Sequence, residues 1–368
     1  MDGATPAFIV WTATLGARHR TARISPGAPR RRSLLLSPIR SSRLLQAVQE
    51  AAPPSPASLF DADTASDAKR QLLTYLVSKK RAVDAALEAS VQASVPGQRR
   101  LAEAMRYSLL ADGKRVRPIL VLAACELFGG DDAMAMPTAV AVEMVHCMSL
   151  IHDDLPAMDN DDYRRGQPTN HKKFGEDVAI LAGDALLSES FAHIAEHTPI
   201  DRVPPARVLE VVRRLAQSVG LNGLAAGQAM DLECEGKPAE QVGVHALEWI
   251  HLHKTAALLR FSVMAGAILA GADADDVQHM EAYANRIGLA FQIADDVLDV
   301  VSSTETLGKT AGKDSAVDKA TFPRLLGLEA SRLRAEQLVH EAKQALERYG
   351  GRAGILLGLA DFIIQRKN

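Results

Sequence analysis

From Asp61 onward, apolar residues recur three and four positions apart, and strand-like alternation is scarce. That pattern predicts an all-α domain with helices over residues 65–93, 101–110, 117–128, 136–152, 178–196, 206–229, 244–270, 275–300 and 334–349. Turn signals separate them: Pro96-Gly97, Gly129-Gly130, Pro204-Pro205, Gly236 with Pro238, Gly271 and Gly350-Gly351. No internal repeat suggests a solenoid, so residues 61–368 read as one helical domain.

Two of these apolar stretches carry carboxylates, which are costly to bury unless a cation satisfies them. Gln292, Asp295, Asp296 and Asp299 fall at i, i+3, i+4 and i+7, so one helical face presents all four. Asp153 and Asp159 are six apart and on a continuous helix would point about 120° from each other. Pro156 predicts a way out: it ends the helix near Asp154, and a loop then swings Asp159 back. The ordinary fate of such acids is a solvated helix end or a salt bridge. Two clusters on apolar helices, the first followed by Arg164-Arg165, favour a cation site instead. Oxygen donors without Cys or imidazole point to Mg2+, which keeps several waters and takes substrate phosphate among its ligands. Two such faces suggest magnesium bridging a diphosphate, and the helices that bear them are expected to face one cavity.

Fixed cations stand beside tight turns. Lys114 and Arg117 are three apart at the start of a helix that Pro118 favours, so both can face one anion. His146 precedes Asp153 by seven residues, two helical turns, and shares its face. Lys254 and Thr255 lie on another apolar helix, where a lysine needs an anionic partner.

The chain resembles the trans-prenyltransferases, the head-to-tail isoprenyl diphosphate synthases, and among them the plant and bacterial geranylgeranyl diphosphate synthases. The resemblance rests on DGKRVRP (112–118), HCMSLIHDDLPAMDNDDYRRGQPTNHK (146–172), LAGDALL (181–187), GQAMD (227–231), HKT (253–255), FQIADDVLD (291–299) and GKTAGKD (308–314), in family order. It implies antiparallel helices around a deep central cavity, and Mg2+ held by Asp153, Asp154, Asp159, Asp295 and Asp299. It also implies that Lys114, Arg117, His146 and Arg165 hold isopentenyl diphosphate, and that Arg164 reaches the allylic diphosphate. Lys254, Thr255, Gln292, Lys309 and Lys319 join the substrate contacts, Asp296 the catalytic set, and Gln228 and Asp231 support the cavity lysines. The glycine- and lysine-rich loop at 308–314 is expected to close over phosphate, whereas Arg366-Lys367 reads as a frayed tail. The implied reaction ionises dimethylallyl, geranyl or farnesyl diphosphate and joins the cation to isopentenyl diphosphate.

Composition narrows the setting. At 368 residues and 39.5 kDa the chain can bury a substantial core, and a net charge of −3 without long blocks gives no reason to invoke nucleic acid. Cys125, Cys147 and Cys234 lack the spacing of a disulfide framework or zinc site. Residues 1–60 differ: eight arginines, no lysine, only Asp2 and Glu50 as acids, and several Ser and Pro. They read as an organelle transit peptide, plastidial rather than mitochondrial given the Ser and Pro content. The longest nearly apolar run, residues 261–272, is too short to span a bilayer, so no membrane span is expected.

Product length is the finest point in reach. Met148 and Ser149 lie five and four residues before Asp153, roughly 6–7.5 Å along the helix axis, and neither is aromatic. In the resembling family a bulky ring near this depth shortens the product, so a twenty-carbon chain is expected. Shorter products and a regulatory subunit are the alternatives. A terpene cyclase would carry more aromatics, and a degenerate subunit would have lost its aspartates. The resemblance implies a homodimer, with pairing to a smaller related subunit as the other arrangement.

Overall fold

The computed structural model describes residues 62–307 and 320–365, which belong to one compact unit beginning at Phe60. The expected leader, Lys309, Lys319, the 308–314 loop and Arg366-Lys367 lie outside the described residues.

The unit is all-α. The helices are α1 (Ala62–Ser90), α2 (Arg99–Leu109), α3 (Val116–Leu127), α4 (Asp132–Asp153), α5 (Asn170–Phe174), α6 (Glu176–His197), α7 (Pro205–Val219) and α8 (Leu224–Cys234). Then come α9 (Ala239–Ile250), α10 (Ala256–Ala270), α11 (Ala274–Leu307), α12 (Phe322–Leu326), α13 (Leu328–Leu346) and α14 (Gly354–Gln365). Among the described residues the only strands are β1 (Tyr163–Arg164) and β2 (Gln167–Pro168), a two-residue antiparallel hairpin.

Helix α10 is the centre. It packs against α3, α4, α7 and α11, and nearly every side chain from Ala256 to Leu269 is buried. A helix apolar on all sides is stable only inside such a shell, which also explains why its residues alternate with no polar stripe. Helix α4 is similarly enclosed and starts on the side chain of Asp131, which accepts from Met134 N at 3.2 Å.

Three departures from the sequence pattern have physical causes. The stretch 206–229 divides into α7 and α8 because the Gly220–Gly223 turn intervenes, leaving Leu221 87% exposed. The stretch 244–270 is interrupted at His251–Thr255 by a π-helical turn. Helix α14 escaped notice because ILLGLADFII is short and nearly continuous in hydrophobicity; the Tyr283 hydroxyl pins it to α11 by donating to Leu356 O at 2.7 Å.

The expectation of no membrane-spanning candidate needs correction. Three stretches, Asp132–Asp153, Glu176–His197 and Ala239–Ala270, are long and apolar enough to cross a bilayer by length and composition alone. The first and third bury 78% and 72% of their apolar window in the protein core, whereas α6 buries only 33%. Enclosed core helices share the composition of bilayer helices, which is why composition cannot separate them.

Candidate active site

Helix α4 ends at Asp153, as Pro156 requires, and the chain doubles back at once. Asp159 N donates to Asp153 O at 2.9 Å and Asn160 N to Leu155 O at 3.1 Å. The two aspartates six apart in sequence are thereby neighbours. Burial pushes the Asp153 carboxyl above the usual carboxylate range, Lys254 opposes this and Asp159 adds to it. Asp154 pairs with a cation of the protein: its side chain is 4% exposed, and its Oδ1 accepts from Arg164 Nε at 2.7 Å and sits 2.6 Å from the Arg164 terminal nitrogen. Burial raises the Asp154 pKa and Arg164 pulls it back.

Basic side chains from the 112–117 turn and from the hairpin gather on the wall of one cavity. Arg115 takes a left-handed backbone (φ 50°) as the residue before α3, and its buried side chain turns inward. There its Nε donates to Asp84 at 2.8 Å and its terminal nitrogens to Glu143 at 2.7 Å, Leu109 O at 3.1 Å and Ala111 O at 2.9 Å. With Arg115 used inward, Lys114 and Arg117 on either side line a cavity of about 910 Å³ together with His146, Arg164, Arg165 and Asp295. Arg165, also left-handed (φ 53°), donates to Asp112 O at 2.6 Å and lies across Gly113, where a Cβ would meet its guanidinium at 2.8 Å. Burial, then the charges of Arg117 and Arg165, hold the His146 pKa well below the ordinary histidine range, so its ring is neutral near pH 7. Burial also lowers the Arg117 pKa, and its Nε has no hydrogen-bond partner among the described residues. Such a wall of concentrated, partly desolvated cations is matched to a polyanion.

The second acidic motif divides its side chains by helical angle. Gln292 accepts from Thr255 Oγ1 at 3.2 Å, Asp295 lines the basic cavity, and Asp296 turns the other way to accept from Phe322 N at 2.9 Å, with His251 Nε2 at 3.7 Å. Asp299 is exposed. Lys254 donates to Asp231 at 2.7 Å, and the buried Gln228 amide has no partner among the described residues.

Met148 is buried and Ser149 half-buried, its hydroxyl bonded to His146 O at 2.8 Å; neither lines the basic cavity. Sequence reasoning passed over Arg115, Asp84 and Glu143. The signal was present in Glu143, an acid deep inside an apolar helix that demands a cationic partner.

The donor set suits a hard cation. Half-buried Asp153 beside Asp159 leaves carboxylate charge that Lys254 opposes, and every donor is oxygen. Among the described residues no three His, Cys, Asp or Glu side chains form a group that could hold a metal ion by themselves.

Comparison with known proteins fits this geometry. The Polyprenyl synthetase family pattern matches residues 98–349. The chain is 53% identical over 297 residues to the heterodimeric geranylgeranyl pyrophosphate synthase large subunit 1, chloroplastic, of Arabidopsis thaliana, covering 80% of each chain. It is 54% identical over 295 residues to the chloroplastic geranylgeranyl pyrophosphate synthase of Capsicum annuum, covering 80% of this chain and 78% of the relative. Among solved structures, the FPP/GFPP synthase of Zymomonas mobilis superposes with a TM-score of 0.71 at 38% identity, covering 80% of this chain and 99% of that one. With a family match over most of its length and a relative more than half identical across 80% of it, the chain belongs to the polyprenyl synthetase family.

Proposed function

We propose that this chain makes geranylgeranyl diphosphate in a plastid, by magnesium-dependent addition of isopentenyl diphosphate to dimethylallyl, geranyl and farnesyl diphosphates. That it is a prenyltransferase acting on these substrates follows from its family. The observation that carries the reading of the site is the convergence of Lys114, Arg117, His146 and Arg165 on one cavity that also holds Arg164 and Asp295.

In this reading the four former residues hold the diphosphate of the extender, with neutral His146 able to donate one hydrogen bond without adding charge. Arg164, Lys254 and Thr255 contact the allylic diphosphate, and Lys309 and Lys319 complete that set. Asp153 and Asp159 on one side, with Asp295 and Asp299 on the other, would hold magnesium, which neutralises charge as it develops on the departing diphosphate. Asp154 is assigned to orient Arg164, and Asp296 to tie α11 to the start of α12. The carboxylates being committed, the proton lost after addition goes to the departed diphosphate. Apolar walls exclude water from the intermediate cation.

A twenty-carbon product is supported by the identity of Met148 and Ser149, neither of them aromatic; the relatives include a geranylfarnesyl diphosphate synthase, so family membership alone does not fix length. Plastid delivery by residues 1–60 is supported by their composition and by the chloroplastic relatives. A dimer is supported by α6, of whose apolar window only 33% is buried and whose Ile180 and Leu181 are exposed. A smaller related subunit is the second occupant to consider, because one relative is named as the large subunit of a heterodimer.

The test is product analysis of residues 61–368 with isopentenyl diphosphate and each allylic primer. Geranylgeranyl diphosphate is expected with magnesium and no product after chelation. Farnesyl or geranyl diphosphate as end product overturns the length assignment. Ser149→Phe or Met148→Phe is expected to shorten the product, and an unchanged length in both means the tail takes another route.

A further inference from the structure

We infer that Gly227 and Gly288 are positioning residues for the allylic diphosphate, acting as a two-sided clamp on the π-turn that carries Lys254 and Thr255; this rests on the reading that those two side chains contact that substrate. The turn His251–Thr255 joins α9 to α10 with one residue more per turn than an α-helix, and closing it as ordinary helix would rotate Lys254 by roughly 100°. Something must hold the wide turn open.

Both neighbours approach it through a glycine. A Cβ on Gly227 of α8 would meet Lys254 N at 2.2 Å, Lys254 Cα at 2.6 Å and the His253 carbonyl carbon at 2.7 Å. A Cβ on Gly288 of α11 would meet Ala256 Cβ at 2.4 Å and Ala256 Cα at 3.0 Å. These contacts are mostly to backbone, which cannot step aside as a flexible side chain can. One helical turn beyond each glycine, on the same face, stands the polar partner of the turn. Asp231, four after Gly227, accepts from Lys254 at 2.7 Å, and Gln292, four after Gly288, accepts from Thr255 at 3.2 Å. The two helices thus use the same device: glycine sets the distance, and the residue one turn later sets the direction of the side chain.

Kinetics of Gly227→Ala and Gly288→Ala, with Lys254→Ala, Asp231→Asn and Gly97→Ala beside them, test this. Gly97 is the control, because a Cβ there meets nothing within 4 Å. Each clamp variant is expected to raise KM for geranyl diphosphate about tenfold while KM for isopentenyl diphosphate stays within about twofold. Asp231→Asn, which introduces no clash, is expected to show the same selective defect and so serves where an alanine variant fails to fold. The inference is overturned if Lys254→Ala raises KM for geranyl diphosphate but the clamp variants leave it unchanged, or raise both KM values alike. If Lys254→Ala itself leaves KM for geranyl diphosphate unchanged, the assignment of Lys254 is what fails.

Discussion

The two acidic motifs arrange their carboxylates by opposite backbone strategies. The first breaks its helix: Pro156 stops α4, the chain reverses, and Asp159 comes back to hydrogen-bond the Asp153 carbonyl. The second keeps its helix, and the roughly 100° step between successive residues sorts Asp295 toward the basic cavity and Asp296 toward Phe322 N. A broken end gathers acids that periodicity would scatter, whereas an intact helix separates acids that are adjacent in sequence. In both motifs one member of the Asp-Asp pair has a partner within the protein: Asp154 accepts from Arg164, and Asp296 from Phe322 N at the start of α12.

That equivalence breaks most sharply if one member of each pair is removed. Asp153→Ala and Asp295→Ala are each expected to lower turnover about a thousandfold or more with the helical circular dichroism intact. Near-normal turnover in either at saturating magnesium would mean the two faces do not share one reaction centre. The partnered members should behave differently. Asp154→Ala removes the acceptor of Arg164, whose ion pair with Asp161 is longer, at 3.7 Å, and is expected to cost about 1–3 kcal/mol of stability in denaturant unfolding. Its effect should be strongly non-additive with Arg164→Ala, and additive losses would show that the pair does not act as a unit.

The proline gives a finer contrast. Pro156→Ala permits α4 to continue, so it is expected to raise the magnesium concentration needed for half-maximal rate several-fold, with no counterpart available in α11. A titration indistinguishable from wild type would show that the loop's hydrogen bonds suffice without the proline. Smallest is the effect of charge alone. Because burial makes the Asp153 carboxylate costly, Asp153→Asn is expected to raise the melting temperature of metal-free enzyme by about 2 °C or more. A fall would mean that Lys254 already compensates that charge.

Much of this was legible in the residues. The pattern gave most helices from α1 to α11, and Pro156 predicted the reversal that the backbone makes. What escaped is of one kind. The split roles of Asp153 and Asp154 depend on where Arg164 lies after a hairpin of two-residue strands, which periodicity cannot register. The π-turn is invisible because its sequence continues the apolar run on either side, and its cause, two glycines on other helices, is remote in the chain. Arg115 is passed over in a string of basic residues, because nothing local says that its side chain turns inward.

That inward turn bears on how far the amino terminus can be shortened. Arg115 spans from Asp84 on α1 to Glu143 on α4, with both of its own and the Glu143 side chains almost fully buried. A cut near Phe60 spares this bridge, but one that removes Asp84 leaves a buried guanidinium with a neighbour missing on the wall of the basic cavity. Trimming into α1 therefore strips core residues first, Leu72 and then Val83, and reaches the ion pair next, so packing and charge both fix this helix as part of the folded unit.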